Sequence, residues 1–429
     1  MDIKEYMLSK KEDIKSLKVY PRDISIKPSK EFVSSIVGPR RAGKTYFLYD
    51  LILNKLKLHD EDYVFINFED EWISNYDKKS ALDVIKNHVE IYGKTPEYLF
   101  FDEVQNLEGW ETIVYTFYET KRYNIFITGS SSKLLSKEIS TQLRGRSINY
   151  AVFPFSFKEI LNVKGFSVKE YYSAYEKGRL LNILNEYLQK GGYPQIYLTE
   201  VEPKLFFESL LEAIFYRDII ERYKIREPSV LGLLIKFLSG SFSAEFSLNK
   251  TYNVLKTMGM KISKKTIYSY TKYLENSFLI FFIRNFSPSV RNMELVNKKV
   301  YFFDSGLVNS LTGIRIKENY GRLMENAVAL KLKKDEYRAP MNVYYYKNLN
   351  SEIDFIIKEG NHIKQLIQVS YANNFDEVDK REYKALLNGY ELFKEHNPEL
   401  LVITWDYEGE KLMDNKKIKF IPLWKWLLE

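Results

Sequence analysis

Eight residues, Gly38-Pro-Arg-Arg-Ala-Gly-Lys-Thr45, constrain this chain more than any other stretch. They fit the spacing G-x-x-x-x-G-K-[ST], in which glycines let successive backbone N–H groups curl around a polyphosphate. In that arrangement Gly38, Pro39, Arg40, Arg41, Ala42 and Gly43 wrap the phosphates, with Tyr46 just beyond. Lys44 reaches the outer phosphates and Thr45 holds Mg²⁺. The flanks supply the required context. The apolar run Phe32 to Val37 predicts a strand before the loop, and Tyr46 to Leu53 predicts the helix after it. That helix offers its positive end to phosphate. Binding of ATP or GTP follows.

A chain of 429 residues is long enough for about two to four domains. It contains no cysteine, which excludes disulfides, thiolate metal sites and cysteine nucleophiles, and its four histidines are scattered, which argues against a zinc centre. An intracellular, cytoplasmic protein is expected. The first residues carry charge where a secretory leader needs an apolar centre, and the longest apolar runs, such as Phe278 to Ile283, are too short to span a bilayer. No membrane partner is therefore expected. The net charge of +7 says little by itself, so its distribution matters more.

After a mixed, charged lead-in over residues 1–30, Tyr63 to Phe68 reads as a buried strand with acidic Glu69, Asp70 and Glu71 behind it. Tyr98 to Phe101 runs into Asp102-Glu103. An acid pair ending an apolar strand downstream of a phosphate loop suits Asp102 to placing magnesium and Glu103 to deprotonating an attacking water. Asn124 to Ser132 predicts a fourth strand entering a polar loop, where Ser130, or alternatively Thr128, is the sensor of the γ-phosphate. Leu143-Arg-Gly-Arg146 precedes a fifth apolar run, Ile148 to Phe153. Arg144 or Arg146 suits an arginine finger supplied to a neighbouring subunit.

These stretches, together with Phe153-Pro-Phe-Ser-Phe-Lys-Glu159, resemble the archaeal and bacterial AAA-type ATPases that carry a C-terminal domain of unknown function. The likeness extends through Gly191-Gly-Tyr-Pro194 and Tyr216-Arg-Asp218 and covers nearly the entire chain. It implies a P-loop AAA+ parallel sheet of strand order 5-1-4-3-2 and ATP rather than GTP. It also implies phosphate and magnesium contacts by Lys44 and Thr45, Asp102 and Glu103 as the Walker B pair, Ser130 as sensor and a trans-acting Arg144 or Arg146. No guanine-reading N-K-x-D stretch follows the core, which agrees with adenine.

The expected organisation is α/β throughout, with a AAA+ nucleotide-binding core over 31–154 and a helical lid over 155–232. In the lid Arg217 is either a second nucleotide sensor or a surface arginine paired with Asp218 or Glu221. Residues 233–312 read as a winged helix: two helices around Lys261-Ile-Ser263, then strands over 279–286 and 299–303. Its second helix, capped by Ser263, turns Ile267, Tyr270 or Thr271, and Leu274 inward. That leaves Lys264, Lys265, Tyr268 and Lys272, with Arg284 near the wing, for DNA.

The last domain, 313–429, has the spacing of a PD-(D/E)xK nuclease-like fold, with a hairpin across Glu359-Gly-Asn-His362. Glu325 and Asp354 fall at acidic positions, but Gln368 and Ser370 stand where an active site needs a carboxylate and a lysine. A degenerate site without cleavage is the expectation. The function read from the sequence is magnesium-dependent ATP hydrolysis by a homo-oligomer, with a hexameric ring as one form, acting on DNA. The alternatives are an ATP-controlled assembly switch that grips protein, an ATP-regulated nuclease, and a P-loop protein without turnover.

Overall fold

The computed structural model describes residues 2–73, 82–129, 143, 145–289, 291, 293, 296–312, 319–349 and 351–429. Contacts divide the chain into two compact units, Met1–Phe153 with Asn276–Phe278, and Pro154–Glu275 with Leu279–Glu429.

The first unit is a parallel five-stranded sheet of β1 (Val33–Val37), β2 (Tyr63–Asn67), β3 (Tyr98–Asp102), β4 (Asn124–Gly129) and β5 (Ser147–Ala151). Their order is β2-β3-β4-β1-β5, which is the expected 5-1-4-3-2 read from the other edge. The central strands β3, β4 and β1 are buried almost throughout, Ser34 and Ser35 of β1 included, because helices cover both faces of a parallel sheet. Successive residues alternate between the two cores: Leu99 and Phe101 join Trp110, Ile113 and Phe117 on one side, and Phe100 joins Phe47, Phe65 and Phe126 on the other. Crossovers place the C-terminal ends of β1, β3 and β4 together, where open α/β sheets bind ligands. Helix Ile3–Ser16 opens the chain behind a capping box formed by Asp2 and Glu5.

The second unit begins with helices, including Phe157–Val163 and Ala174–Lys190, each started by a serine–glutamate capping box. The Leu180 to Leu188 periodicity becomes the buried stripe of the longer helix, and Gly191 ends it at φ 73°. A side chain there would meet Asp304 Oδ1 at 1.9 Å, and one at Gly192 would meet Phe155 O at 2.3 Å. The Gly191-Gly192 pair is thus a close-packing requirement.

Helix Pro228–Gly240, β6 (Ala244–Phe246), helices Leu248–Thr257 and Lys264–Asn276, β7 (Ile280–Asn285) and β8 (Lys298–Phe302) follow. Strands β6 and β7 flank β8, both antiparallel. Ser263 Oγ accepts the Thr266 N–H at 3.1 Å, the expected cap. Ile267, Tyr270, Thr271 and Leu274 are buried, while Lys264, Lys265, Tyr268 and Lys272 are exposed.

This ribbon does not stand apart from the last segment. β7 also pairs in parallel with β9 (Met341–Lys347), through Arg284↔Tyr344 and Asn285↔Tyr345. A nine-stranded sheet results, ordered β13-β14-β12-β11-β10-β9-β7-β8-β6, with β10 (Glu352–Glu359), β11 (His362–Val369), β12 (Glu399–Thr404), β13 (Gly409–Met413) and β14 (Lys416–Pro422). The β10–β11 hairpin turns at Gly360, φ 56°. Helix Lys380–Leu392 covers Ile353, Leu366, Val402 and Phe420, and Gly389 lets it approach, since a Cβ there would lie 2.3 Å from Ile353 Cδ1. Among the described residues, no helix is long and apolar enough to cross a membrane.

Candidate functional site

The loop from Gly38 to Gly43 depends on backbone conformations that its sequence permits. Gly38 sits at φ 153° with Val152 O where a Cβ would be, 1.9 Å away. Gly43, φ 92°, caps helix Lys44–Asp50, and Arg41 adopts φ 61°. Lys44 is buried and folds back, donating to Gly38 O at 3.3 Å and Pro39 O at 3.0 Å. An ammonium held by two of the loop's own carbonyls lies inside the loop and is ready to exchange them for phosphate oxygens. Tyr46 is half exposed on the helix.

Beside it, Asp102 ends β3 with no exposure, and its two oxygens are used separately. Thr45 Oγ1 donates to Oδ2 at 2.7 Å, and Thr128 Oγ1 donates to Oδ1. Burial and the neighbouring Glu103 carboxylate push the Asp102 pKa up to about 6, against the hydroxyl bonds of Thr128 and Thr45 and the charge of Lys44. A buried carboxylate bonded to the hydroxyl that follows the loop lysine is a ready oxygen ligand for a hard cation.

Glu103 takes φ 51°, in the left-handed region, which swings it off the strand. Its N–H donates to Thr128 Oγ1 at 2.9 Å, and its carboxylate accepts from Gln105 Nε2 at 2.5 Å. Thr128 therefore fixes both acids, and Lys44, Thr45, Asp102, Glu103 and Thr128 form one site. Ser130 and Arg144 lie outside the described residues. Arg146 donates to Tyr115 Oη at 2.6 Å and Glu119 Oε1 at 2.7 Å and stacks on the Tyr115 and Tyr118 rings, so its own chain already engages it. Arg217 is exposed on helix Ile214–Glu221 of the second unit.

The sequence reading passed over Arg22. Although it belongs to the lead-in, it is 7% exposed and donates to Ala42 O at 3.0 Å and Phe153 O at 2.6 Å. Its N–H reaches Asp50 Oδ2 at 3.2 Å. One guanidinium thus ties the phosphate loop to the segment after β5. Tyr20-Pro-Arg-Asp23 has no motif that would reveal this. Of the acidic run behind β2, Asp70 is taken up by Tyr6 and Lys10 of the first helix, at 2.7 and 2.8 Å.

The second unit holds a separate polar centre where Glu325, Asp354 and Gln368 come together. Lys299 of β8 lies in the middle: its Nζ is 3.0 Å from Glu325 Oε1, 3.0 Å from Asp354 Oδ1 and 2.9 Å from Glu352 Oε1. Tyr301 Oη adds 2.7 Å to Glu325 Oε1. Asp354 Oδ2 accepts the Val369 N–H, and Gln368 Oε1 accepts the Asp354 N–H where the β9–β10 ladder is interrupted. Gln368 Nε2 donates to Glu382. Ser370, just past β11, donates its N–H to Ile403 O.

The ammonium at this centre comes from β8 and lies between the carboxylates, away from the strand position of Ser370. Burial alone would lower the Lys299 pKa, but the charges of Glu325, Asp354 and Glu352 hold it well above the ordinary lysine value. Burial raises Glu325 to about 7 even against that cation. Among the described residues, no group of three or more histidine, aspartate or glutamate side chains is arranged to hold a metal ion.

Known proteins resemble the chain along its length. A family model described as "AAA domain" matches residues 30–161, and two domains of unknown function match 181–318 and 320–426. An uncharacterized protein of Methanocaldococcus jannaschii is 40% identical over 99% of this chain and 94% of its own length. One from Haemophilus influenzae is 28% identical over 93% and 95%. Among solved structures, Cdc6p from Pyrobaculum aerophilum aligns at 12% identity over 67% of this chain and 88% of that one, at a TM-score of 0.26 that is too low to carry an argument.

Proposed function

We propose a function on the premise that this chain belongs to the AAA+ P-loop ATPases with C-terminal domains of unknown function, the family of the Methanocaldococcus protein. The AAA+ fold is a nucleotide-binding fold, and our reading is that this chain binds ATP with Mg²⁺ and hydrolyses it. The observation that carries the reading is the network Thr45–Asp102–Thr128–Glu103 at the mouth of the phosphate loop. A metal there would be held by Thr45 and Asp102 and would neutralise charge developing on the phosphates.

The chain's own groups supply the rest. Lys44 exchanges the Gly38 and Pro39 carbonyls for phosphate oxygens, and the loop's N–H groups, which Pro39 lacks, cradle the phosphates. Glu103 accepts the proton of the attacking water, and Thr128 holds Glu103 and Asp102 in register. With Arg146 already bound to Glu119, Arg144 is the better choice for an arginine supplied to a neighbouring subunit of a homo-oligomer. Cysteine-free composition supports a cytoplasmic site of action.

The second unit is the part we assign to DNA, as a winged helix joined edge to edge with a nuclease-like fold. The exposed face of helix Lys264–Asn276 and Arg284 support this. An ATP-regulated nuclease is disfavoured, because Lys299 fills the space between Glu325 and Asp354 that a catalytic cation would need.

Magnesium-dependent phosphate release tests the ATPase. Glu103→Gln is expected to lower kcat about 10²–10⁴-fold while nucleotide binding persists, and Lys44→Ala to abolish turnover. A Glu103→Gln protein that hydrolyses ATP at the parental rate refutes the role given to Glu103.

A further inference from the structure

Among the described residues β7 pairs with β9 through Arg284 and Asn285, and a cleft of about 690 Å³ opens alongside them within the second unit. One wall is the outer face of helix Lys264–Asn276, with Lys264, Lys265, Tyr268 and Lys272. The other is formed by the strands, with Phe282 and Tyr344, and by Lys333 of helix Tyr320–Glu336. Six lysine and arginine side chains and two glutamates line it, an excess of four positive charges. Lys272 and Lys333 rest on those glutamates, Glu275 and Glu336, at 2.7 Å each, so arriving phosphates compete for ammonium groups already placed at the walls.

The cleft's size decides what fits. A concavity of that volume takes in a few nucleotides of a strand, whereas a duplex, whose major groove alone is ~12 Å wide, meets it only with its outer surface. The basic residues of this helix face the concavity. A helix that reads duplex DNA must instead project into a groove. Aromatic faces are interleaved with the charges: Tyr268 is 52% exposed, and Phe282 and Tyr344 are half-buried. Cations that follow a backbone, alternating with rings on which bases stack, are the means by which proteins hold single strands without reading sequence.

We infer that this cleft binds a single strand of nucleic acid, with phosphates on Lys264, Lys265 and Lys333 and a base stacked on Tyr268. The inference deepens the assignment of the second unit to DNA and rests on it. It also makes the C-terminal segment part of the binding surface, since Lys333 and Tyr344 lie beyond the winged helix.

Fluorescence anisotropy of the full chain with labelled dT12, U12 and a 12-base-pair duplex tests it, with a polyglutamate peptide as a further probe. Tyr268→Ala is expected to weaken dT12 or U12 binding about 5- to 150-fold. Lys264→Glu with Lys265→Glu should reduce the slope of log affinity against log salt by about 1.4, at ~0.7 per lost phosphate contact. All three residues are exposed, so these variants should fold. Duplex binding equal to or tighter than single-strand binding, or single-strand binding that both variants leave unchanged, overturns the cleft while the nucleic-acid assignment stands. Failure of every oligonucleotide to bind, with capture of polyglutamate, overturns both and identifies an acidic protein partner.

Discussion

Replacing Lys299 by methionine removes one ammonium from among Glu325, Glu352 and Asp354 and leaves a side chain of similar length. At an effective dielectric of about 20, two unit charges 3.0 Å apart interact by about 5–6 kcal/mol. Lys299 makes three such contacts while 2% exposed, so its desolvation takes back several kcal/mol. The variant also strands buried carboxylates, and breaking a buried pair in this way costs about 3–5 kcal/mol. The loss should depend on pH. Burial pushes the Glu325 carboxyl up to about 7 even with the lysine present, and without that cation the carboxyl is held neutral to still higher pH. Its folded pKa lies above the unfolded value, so its contribution is complete below about 4.5 and disappears as pH rises through the folded pKa. Lys299→Met should therefore lose about 3–5 kcal/mol in urea unfolding at pH 8 and clearly less at pH 5.5. A loss below about 1 kcal/mol at pH 8, or the same loss at both pH values, would refute the view that Lys299 neutralises this centre.

Two further outcomes follow from buried contacts elsewhere. Arg22→Ala strips the Ala42 and Phe153 carbonyls of their donor, and should cost about 2–3 kcal/mol and weaken a fluorescent ATP analogue's affinity. Unchanged nucleotide affinity would mean that Arg22 serves the fold and not the loop. Asp304 accepts the Gly192 and Leu307 N–H groups, yet burial raises its pKa to about 7 from an ordinary 3.8. Its contribution is complete below 3.8 and falls away as pH rises through 7, so the stability of the parent relative to Asp304→Asn should drop by a few kcal/mol between pH 4 and 8. A gap independent of pH would show that Asp304 stays ionised throughout.

Local chemistry made much of this molecule readable from its sequence. Gly38 to Thr45 depends on backbone freedom and a fixed lysine spacing, and unbroken apolar runs ending in Asp102-Glu103 can be little else than buried parallel strands, so loop, strands and acid pair were all legible. Ser263, the inward set from Ile267 to Leu274 and the hairpin at Gly360 were legible because each is settled within one turn or one helical period. Arg22, Thr128 as the brace of both acids, and Lys299 were not. Each acts on a partner 20 or more positions away, and no periodicity records which distant carbonyl or carboxylate a side chain will meet. The edge pairing of β7 with β9 belongs to the same class, because any exposed strand edge can accept another and the sequence of neither names its mate. The amino-acid sequence determined the phosphate-loop pattern, the acid pair that ends β3 and the local elements. Tertiary structure alone decided that a lysine from one segment closes the acidic centre of the next and that a basic helix faces a cleft, since both arise from contacts between segments distant in the chain.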